Sequence, residues 1–260
     1  MTCRAFAARA TVAVAALTLV GCGGGATAGG DGSAPDTTPT TVVQGAATTV
    51  VPPADGGTTD VEVTVEVARP DRAVEVHASP GDPTVILVLD PLTELGSARA
   101  LPIVDRRDGW LRVELPVRPN GSSGWIRGEG IEVREVDEAI HVDLAARTLT
   151  LTVGGEVTLT TPVAVGAPDA PTPTGRFYVT DKLDTGSEAG PYGPYAFGLS
   201  GHSDVLTEFA GGDGQIGIHG TDDPSSIGRD VSHGCVRVPN DVATRLTGLV
   251  PLGTPVTIVG

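Results

Sequence analysis

Lysine is all but missing: Lys182 stands alone, and arginine supplies the rest of 17 positive charges set against 32 acidic residues. The formal net charge of −15 argues against nucleic acid as a partner, because phosphate binding needs clustered cations. Aromatic residues make up 3% of the chain, while Gly 36, Pro 21 and many Val and Thr favour strands and turns over helices. Long apolar runs are also missing. "TVAVAALTLV", residues 11–20, is too short to span a bilayer as a mature helix. Cysteine is scarce, at Cys3, Cys22 and Cys235.

What is present begins with a targeting pattern. Arg4 and Arg9 precede the apolar run, and Leu19-Val20-Gly21-Cys22 closes it. A small residue before a cysteine at that point resembles the bacterial lipoprotein signal. The resemblance implies a signal peptide over 1–21, lipidation of Cys22, and a membrane contact made only through that lipid. An ordinary signal peptide with an incidental Cys22 is the other reading. With Cys3 removed and Cys22 blocked by lipid, Cys235 is the one thiol left, so no disulfide framework is expected.

Residues 22–60 are Gly, Thr, Ala and Pro with little to bury, and read as a disordered tether. A tether of that length has a root-mean-square span of roughly 30–40 Å. Residues 61–136 read as a small β-rich unit, with "TVILVLD", "GWLRVELPV" and "GWIRGEGIEV" as strands and "RRDG" and "RPNGSSG" as turns. Trp110 and Trp125 each follow a glycine at a strand start, which resembles a bacterial SH3-like small barrel. The two rings are read as core anchors, with a ligand platform as the alternative.

Residues 137–260 read as a second β-rich unit. Strands are predicted in "AIHVDLA", "TLTLTV", "VTLTTPVAV" and "RFYVT", with hairpin turns at "ARTL" and "VGGEV". "APDAPTPTG" is a Pro-rich connection. "GSEAGPYGPYAFGLSGHSD" is irregular and long enough to serve as a lid or substrate wall. Asn240 followed by "DVATRLTGLV" predicts one short C-terminal helix, capped by Asn240, with Val242, Leu246 and Leu249 on its apolar face.

The chemistry gathers at "GQIGIHG" and "SHGCVRV". Alternation puts Ile216 and Ile218 on one face, and Gln215, Gly217 and His219 on the other. If the second stretch is extended, His233, Cys235 and Arg237 share a face and Val236 and Val238 point inward. A free thiol is a few per cent thiolate at neutral pH, and a neighbouring imidazole raises that fraction. Spacing alone leaves the base open between His219 and His233. The N–H groups of Gly234 and Cys235 are candidates for an oxyanion hole.

"HGTDDPSSIGRDVSHGCVR" resembles the signature of the L,D-transpeptidase (YkuD-type) catalytic domain, and the likeness extends over about 138–259. It implies Cys235 as nucleophile, His219 as general base, and the Gly220 carbonyl as the group that orients His219. Ser232, His233 and Gly234 match the lining of the oxyanion site. Arg237 stands where some family branches have Asn, and is read as a clamp for a stem-peptide carboxylate; pairing with Asp230 or Asp241 is the alternative. Tyr192 and Tyr195 are candidate walls of the substrate groove.

The resemblance further implies a mainly β chain, with the SH3-like barrel followed by an L,D-transpeptidase-type β-sandwich. The expected partners are peptidoglycan stem peptides, a tetrapeptide donor and a diaminopimelate acceptor, at the outer face of the cytoplasmic membrane. The expected reaction is 3→3 cross-linking by a cysteine acyltransferase without a cofactor, with carbapenems as inhibitors. L,D-carboxypeptidase action, a wall endopeptidase and a non-catalytic wall-binding lipoprotein are the alternatives. A zinc site built from His202, His219, His233 and Cys235 matches no common ligand spacing. His77 and His141 lie outside the motif.

Overall fold

A computed structural model describes residues 64–208 and 212–260, all within one compact unit. The expected signal segment, Cys22 and the expected tether lie outside the described residues.

Seven short strands form the first sheet: β1 (Val65–Arg69), β2 (Val74–His77), β3 (Val85–Leu89), β4 (Leu101–Arg107), β5 (Trp110–Glu114), β6 (Ser123–Arg127) and β7 (Glu132–Val136). They pair antiparallel throughout, in the order β3-β2-β6-β5-β4-β1-β7. The turn from β4 to β5 uses Asp108 and Gly109 at φ of 48° and 80°. An Asp-Gly pair accepts this left-handed geometry, which matches the twist of a tight hairpin. Both tryptophans are buried, and their faces are covered. The Arg127 guanidinium lies 4.5 Å from the Trp110 ring centre across the β5–β6 pair, and Arg107 lies 5.5 Å from Trp125. They anchor the sheet and leave no open ring platform.

The second sheet is built from β8 (Glu138–Asp143), β9 (Thr148–Val153), β10 (Glu156–Pro162), β12 (Gly175–Asp184), β13 (Tyr195–His202), β14 (Gln215–His219), β16 (Val236–Arg237) and β17 (Pro255–Val259). The order is β10-β9-β8-β17-β12-β13-β14-β16. The β8/β17 and β14/β16 pairs are parallel, and the other neighbours are antiparallel. Two further short strands, β11 (Val165–Gly166) and β15 (Asp230–Ser232), pair beside it. The β9–β10 hairpin turns on Gly154 and Gly155, both at positive φ.

One α-helix, α1 (Asn240–Leu249), is found among the described residues beside a short 3-10 turn at Pro224–Ser226, and the helix buries Val242, Ala243 and Leu246. Its cap is Pro239, with no side-chain capping bond. The expected Asn240 cap is therefore a misreading, since that side chain is engaged elsewhere. No helix among the described residues is long and apolar enough to cross a membrane.

The two sheets share a core boundary. Tyr178 of β12, 1% exposed, packs among Leu101, Val113 and Ile126 of the first sheet, and its hydroxyl donates to the Glu114 carbonyl at 3.3 Å. Asn120 makes a two-way bond with the His202 backbone, at 2.8 and 2.9 Å.

Candidate active site

The site lies at the β14–β16 edge of the second sheet. The parallel register sets Ile218 against Val236 and His219 against Arg237. Ile216, Ile218, Val236 and Val238 are all buried in the core, which turns Gly217, His219, Cys235 and Arg237 to the other side. Cys235 is thereby laid against Gly217, whose backbone N–H favours the thiolate. His219 follows two positions further along the same face of β14, roughly 7 Å on. The glycine is required there: a Cβ on Gly217 would come within 2.7 Å of the Phe197 carbonyl.

The approach to the cysteine departs from the expected continuous strand. β15 ends at Ser232, the chain bends through His233 and Gly234, and β16 begins at Val236. Gly234 has φ of 111°, a conformation that side chains of L-residues rarely adopt. His233 is thus carried to an exposed position before the bend, so strand alternation does not align it with Cys235. Ser232, buried, braces the bend. Its hydroxyl donates to the Cys235 carbonyl at 2.5 Å and accepts from the Gly234 N–H at 3.2 Å. Of the two N–H groups considered for an oxyanion hole, that of Gly234 is thereby committed to Ser232.

His219 is 5% exposed, and its Nδ1 sits 2.6 Å from the Gly220 carbonyl. A carbonyl can only accept, so Nδ1 carries the proton and Nε2 presents a lone pair. Burial lowers the imidazole pKa from 6.5 to about 4; Gly220 and Asp222 oppose the shift and the Arg237 charge adds to it. Burial pushes the Cys235 thiol up from 9.0, against the Gly217 N–H and the Arg237 charge, which both favour thiolate. At neutral pH the resting pair is a thiol and a neutral imidazole, so a proton acceptor is ready before any substrate binds.

Arg237 is partly buried, and its Nε has no hydrogen-bond partner. Asp230, one of its expected partners, is taken by Arg147 in a two-pronged bond at 2.7 and 2.8 Å. Tyr192 stands edge-on to His219 with ring centres 4.9 Å apart. Tyr195 instead packs against the core, and its carbonyl accepts from the Gly220 N–H at 3.1 Å. His202 pairs with Asp213 at 2.9 Å. Its strand partner register puts it six residues along β13 from Ala196, the residue opposite His219, and so roughly 20 Å away. The four-residue zinc set is thus divided, and no three His, Cys, Asp or Glu gather as ligands among the described residues.

Sequence reasoning missed two contributors. The Pro-rich connection brings the Ala170 and Pro171 carbonyls beside Gly234, at 3.9 and 3.6 Å from where a Cβ would stand. Asn240 is the other, bonding to the Thr221 N–H that follows His219-Gly220. Both are contacts across long stretches of chain, which no local pattern announces.

A thiol and an oriented, neutral imidazole on one face of a β-sheet are groups that cysteine acyl transfer uses. Residues 137–258 match the family model of the L,D-transpeptidase catalytic domain, YkuD. YkuD of Bacillus subtilis, which carries an L,D-transpeptidase name, is 35% identical over 150 residues, covering 55% of this chain and 83% of that protein. L,D-transpeptidase 1 of Mycobacterium tuberculosis is 24% identical over 218 residues, covering 70% and 83%. Among solved structures, an Enterococcus faecium L,D-transpeptidase is 30% identical with a TM-score of 0.37, over 47% of this chain and 49% of that one. The chain belongs to the YkuD L,D-transpeptidase family.

Proposed function

We propose that this chain is a peptidoglycan L,D-transpeptidase that forms 3→3 cross-links through a thioester on Cys235. The observation that carries the reading is the His219 Nδ1–Gly220 bond, which leaves Nε2 free on the strand face where Cys235 lies. His219 Nε2 takes the thiol proton as the sulfur attacks the carbonyl of the third residue of a stem tetrapeptide. The Cys235 N–H meets the developing oxyanion. The tetrahedral adduct collapses, and the D-Ala amine leaves with the proton held on Nε2. The side-chain amine of a second stem, on a diaminopimelate centre, then attacks the thioester. It gives its proton to Nε2, which returns it to the departing sulfur. Arg237, cationic and unpartnered at Nε, is the group that would hold a substrate carboxylate, and Tyr192 forms a wall beside the base.

The remaining assignments belong to the same reading. Residues 1–21 are a lipoprotein signal and Cys22 carries the lipid. Residues 22–60 tether the enzyme to the outer face of the cytoplasmic membrane. Residues 61–136 are an SH3-like module, supported by seven short antiparallel strands, with Trp110 opening β5 and Trp125 inside β6. Residues 137–260 are the catalytic domain, and no cofactor takes part.

Incubation of the purified chain with a disaccharide tetrapeptide tests the reaction. Release of D-Ala with a cross-linked dimer is expected. Tripeptide as the sole product contradicts transfer and favours L,D-carboxypeptidase action, and unchanged substrate contradicts catalysis on this donor.

A further inference from the structure

The first residue of α1 reaches back across the site instead of capping its own helix. Asn240 Oδ1 accepts from the Thr221 N–H at 2.7 Å, and Asn240 Nδ2 donates to the Glu188 carbonyl at 3.2 Å. The partners fix which end of the amide is which, since an N–H must meet the oxygen and a carbonyl the nitrogen. Thr221 N and the Gly220 carbonyl belong to one planar peptide unit. Holding that nitrogen therefore sets the direction of the carbonyl that receives the His219 Nδ1 proton.

The other end of the amide holds the loop between β12 and β13. That loop closes at its base through the Thr185 N–H to the Pro194 carbonyl at 3.0 Å, and it carries Tyr192 to the edge of the His219 ring. Packing around the amide is tight. A Cβ on Gly193 would fall 2.3 Å from Asn240 Oδ1 and 2.7 Å from Gly220 Cα, and one on Gly220 would fall 2.4 Å from the same oxygen. Gly193 also holds φ of 59°. Loop, strand exit and helix start thus converge on one side-chain amide.

We propose that Asn240 is a positioning residue: through one amide it sets the peptide that aims His219 and pins the Tyr192 loop beside that imidazole. It acts through His219, and the inference rests on the acyl-transfer reading of His219 and Cys235. Alanine is a good helix former at the first turn, and Asn240 makes no capping bond, so the loss in Asn240→Ala falls on the site and not on α1.

The test uses the full chain, with two readouts: the rate of acylation by meropenem as a function of its concentration, and the nitrogen-15 NMR signal of the His219 side chain. In Asn240→Ala the maximal acylation rate is expected to fall about 10- to 100-fold, the scale set by small misplacements of a catalytic group. The Nδ1–H signal should be displaced or broadened, while thermal unfolding remains cooperative. Asn240→Asp keeps an oxygen for the Thr221 N–H and turns a second oxygen toward the Glu188 carbonyl. Its maximal rate at mildly alkaline pH should stay near that of the unsubstituted chain, and the concentration for half-maximal rate should rise. Asn240→Ala with an unchanged rate and an unchanged His219 signal overturns the proposal. If the unsubstituted chain takes up no acyl group, the functional reading fails by itself. The His219 signal then decides this one: displacement in Asn240→Ala supports it, and no change overturns it.

Discussion

At Cys235 and His219 burial acts on both groups in the same direction, toward the uncharged form. The thiol is raised above 9.0 and the imidazole is lowered to about 4, so the resting pair is neutral across the whole interval between. In the proposed acyl transfer, activation then depends on proton transfer during attack and not on a standing thiolate. The sign for pH follows. Below about 4 the imidazole is protonated and cannot serve as base; as pH rises through that value it becomes competent. The rate of acylation by a carbapenem should climb through pH 4 and then hold level, with no inflection at the ordinary histidine value of 6.5. An inflection at 6.5 in a stopped-flow profile would show an imidazole far more hydrated than this one. The sequence singled out these two residues through the family signature, and the structure turns them to one face of the sheet. Their protonation was not legible in the sequence, because it depends on how deeply long-range packing buries His219.

Among the elements, those specified locally were the easiest to read. Asp108-Gly109 and Gly154-Gly155 announce hairpins because their residue types tolerate positive φ, and both hairpins form. Alternation in "GQIGIHG" correctly turned Ile216 and Ile218 into the core. Over "SHGCVRV" the alternation held for Val236 and Val238, which are buried, and failed at His233, where Gly234 bends the chain and separates β15 from β16. Asn240 failed as a cap for a different reason: Thr221, 19 residues away in sequence, offers its N–H to the same side chain. The helix itself was correctly expected from its apolar face. Leu246, 1% exposed, is the residue that seats it on the second sheet. Leu246→Ala should destabilise the protein by about 2–5 kcal/mol, measured by denaturant unfolding, through lost burial and the cavity left behind. An effect under about 1 kcal/mol would mean that α1 is not seated by this residue.

For the whole molecule, the two β-rich stretches were legible as separate strand sets, but their junction was not. Tyr178 belongs by sequence to the second sheet and by packing to the core of the first. Arg118, from the first sheet's connection, donates to the carbonyls of Ser203, Leu206 and Asp213. Such contacts join residues 64 to 95 positions apart, beyond any local periodicity. A shared core predicts shared stability. Tyr178→Ala should cost about 3–5 kcal/mol and shift a single cooperative transition, seen alike by tryptophan fluorescence and far-UV circular dichroism. Two separate transitions in the unsubstituted chain would contradict a shared core. The central claim, that Cys235 is an acyl-accepting nucleophile, is tested most directly by the intact mass of the chain after exposure to meropenem, with Cys235→Ala alongside. One added acyl mass on the unsubstituted chain and none on Cys235→Ala is the expected result. An unmodified native chain, or equal modification of both, would contradict it.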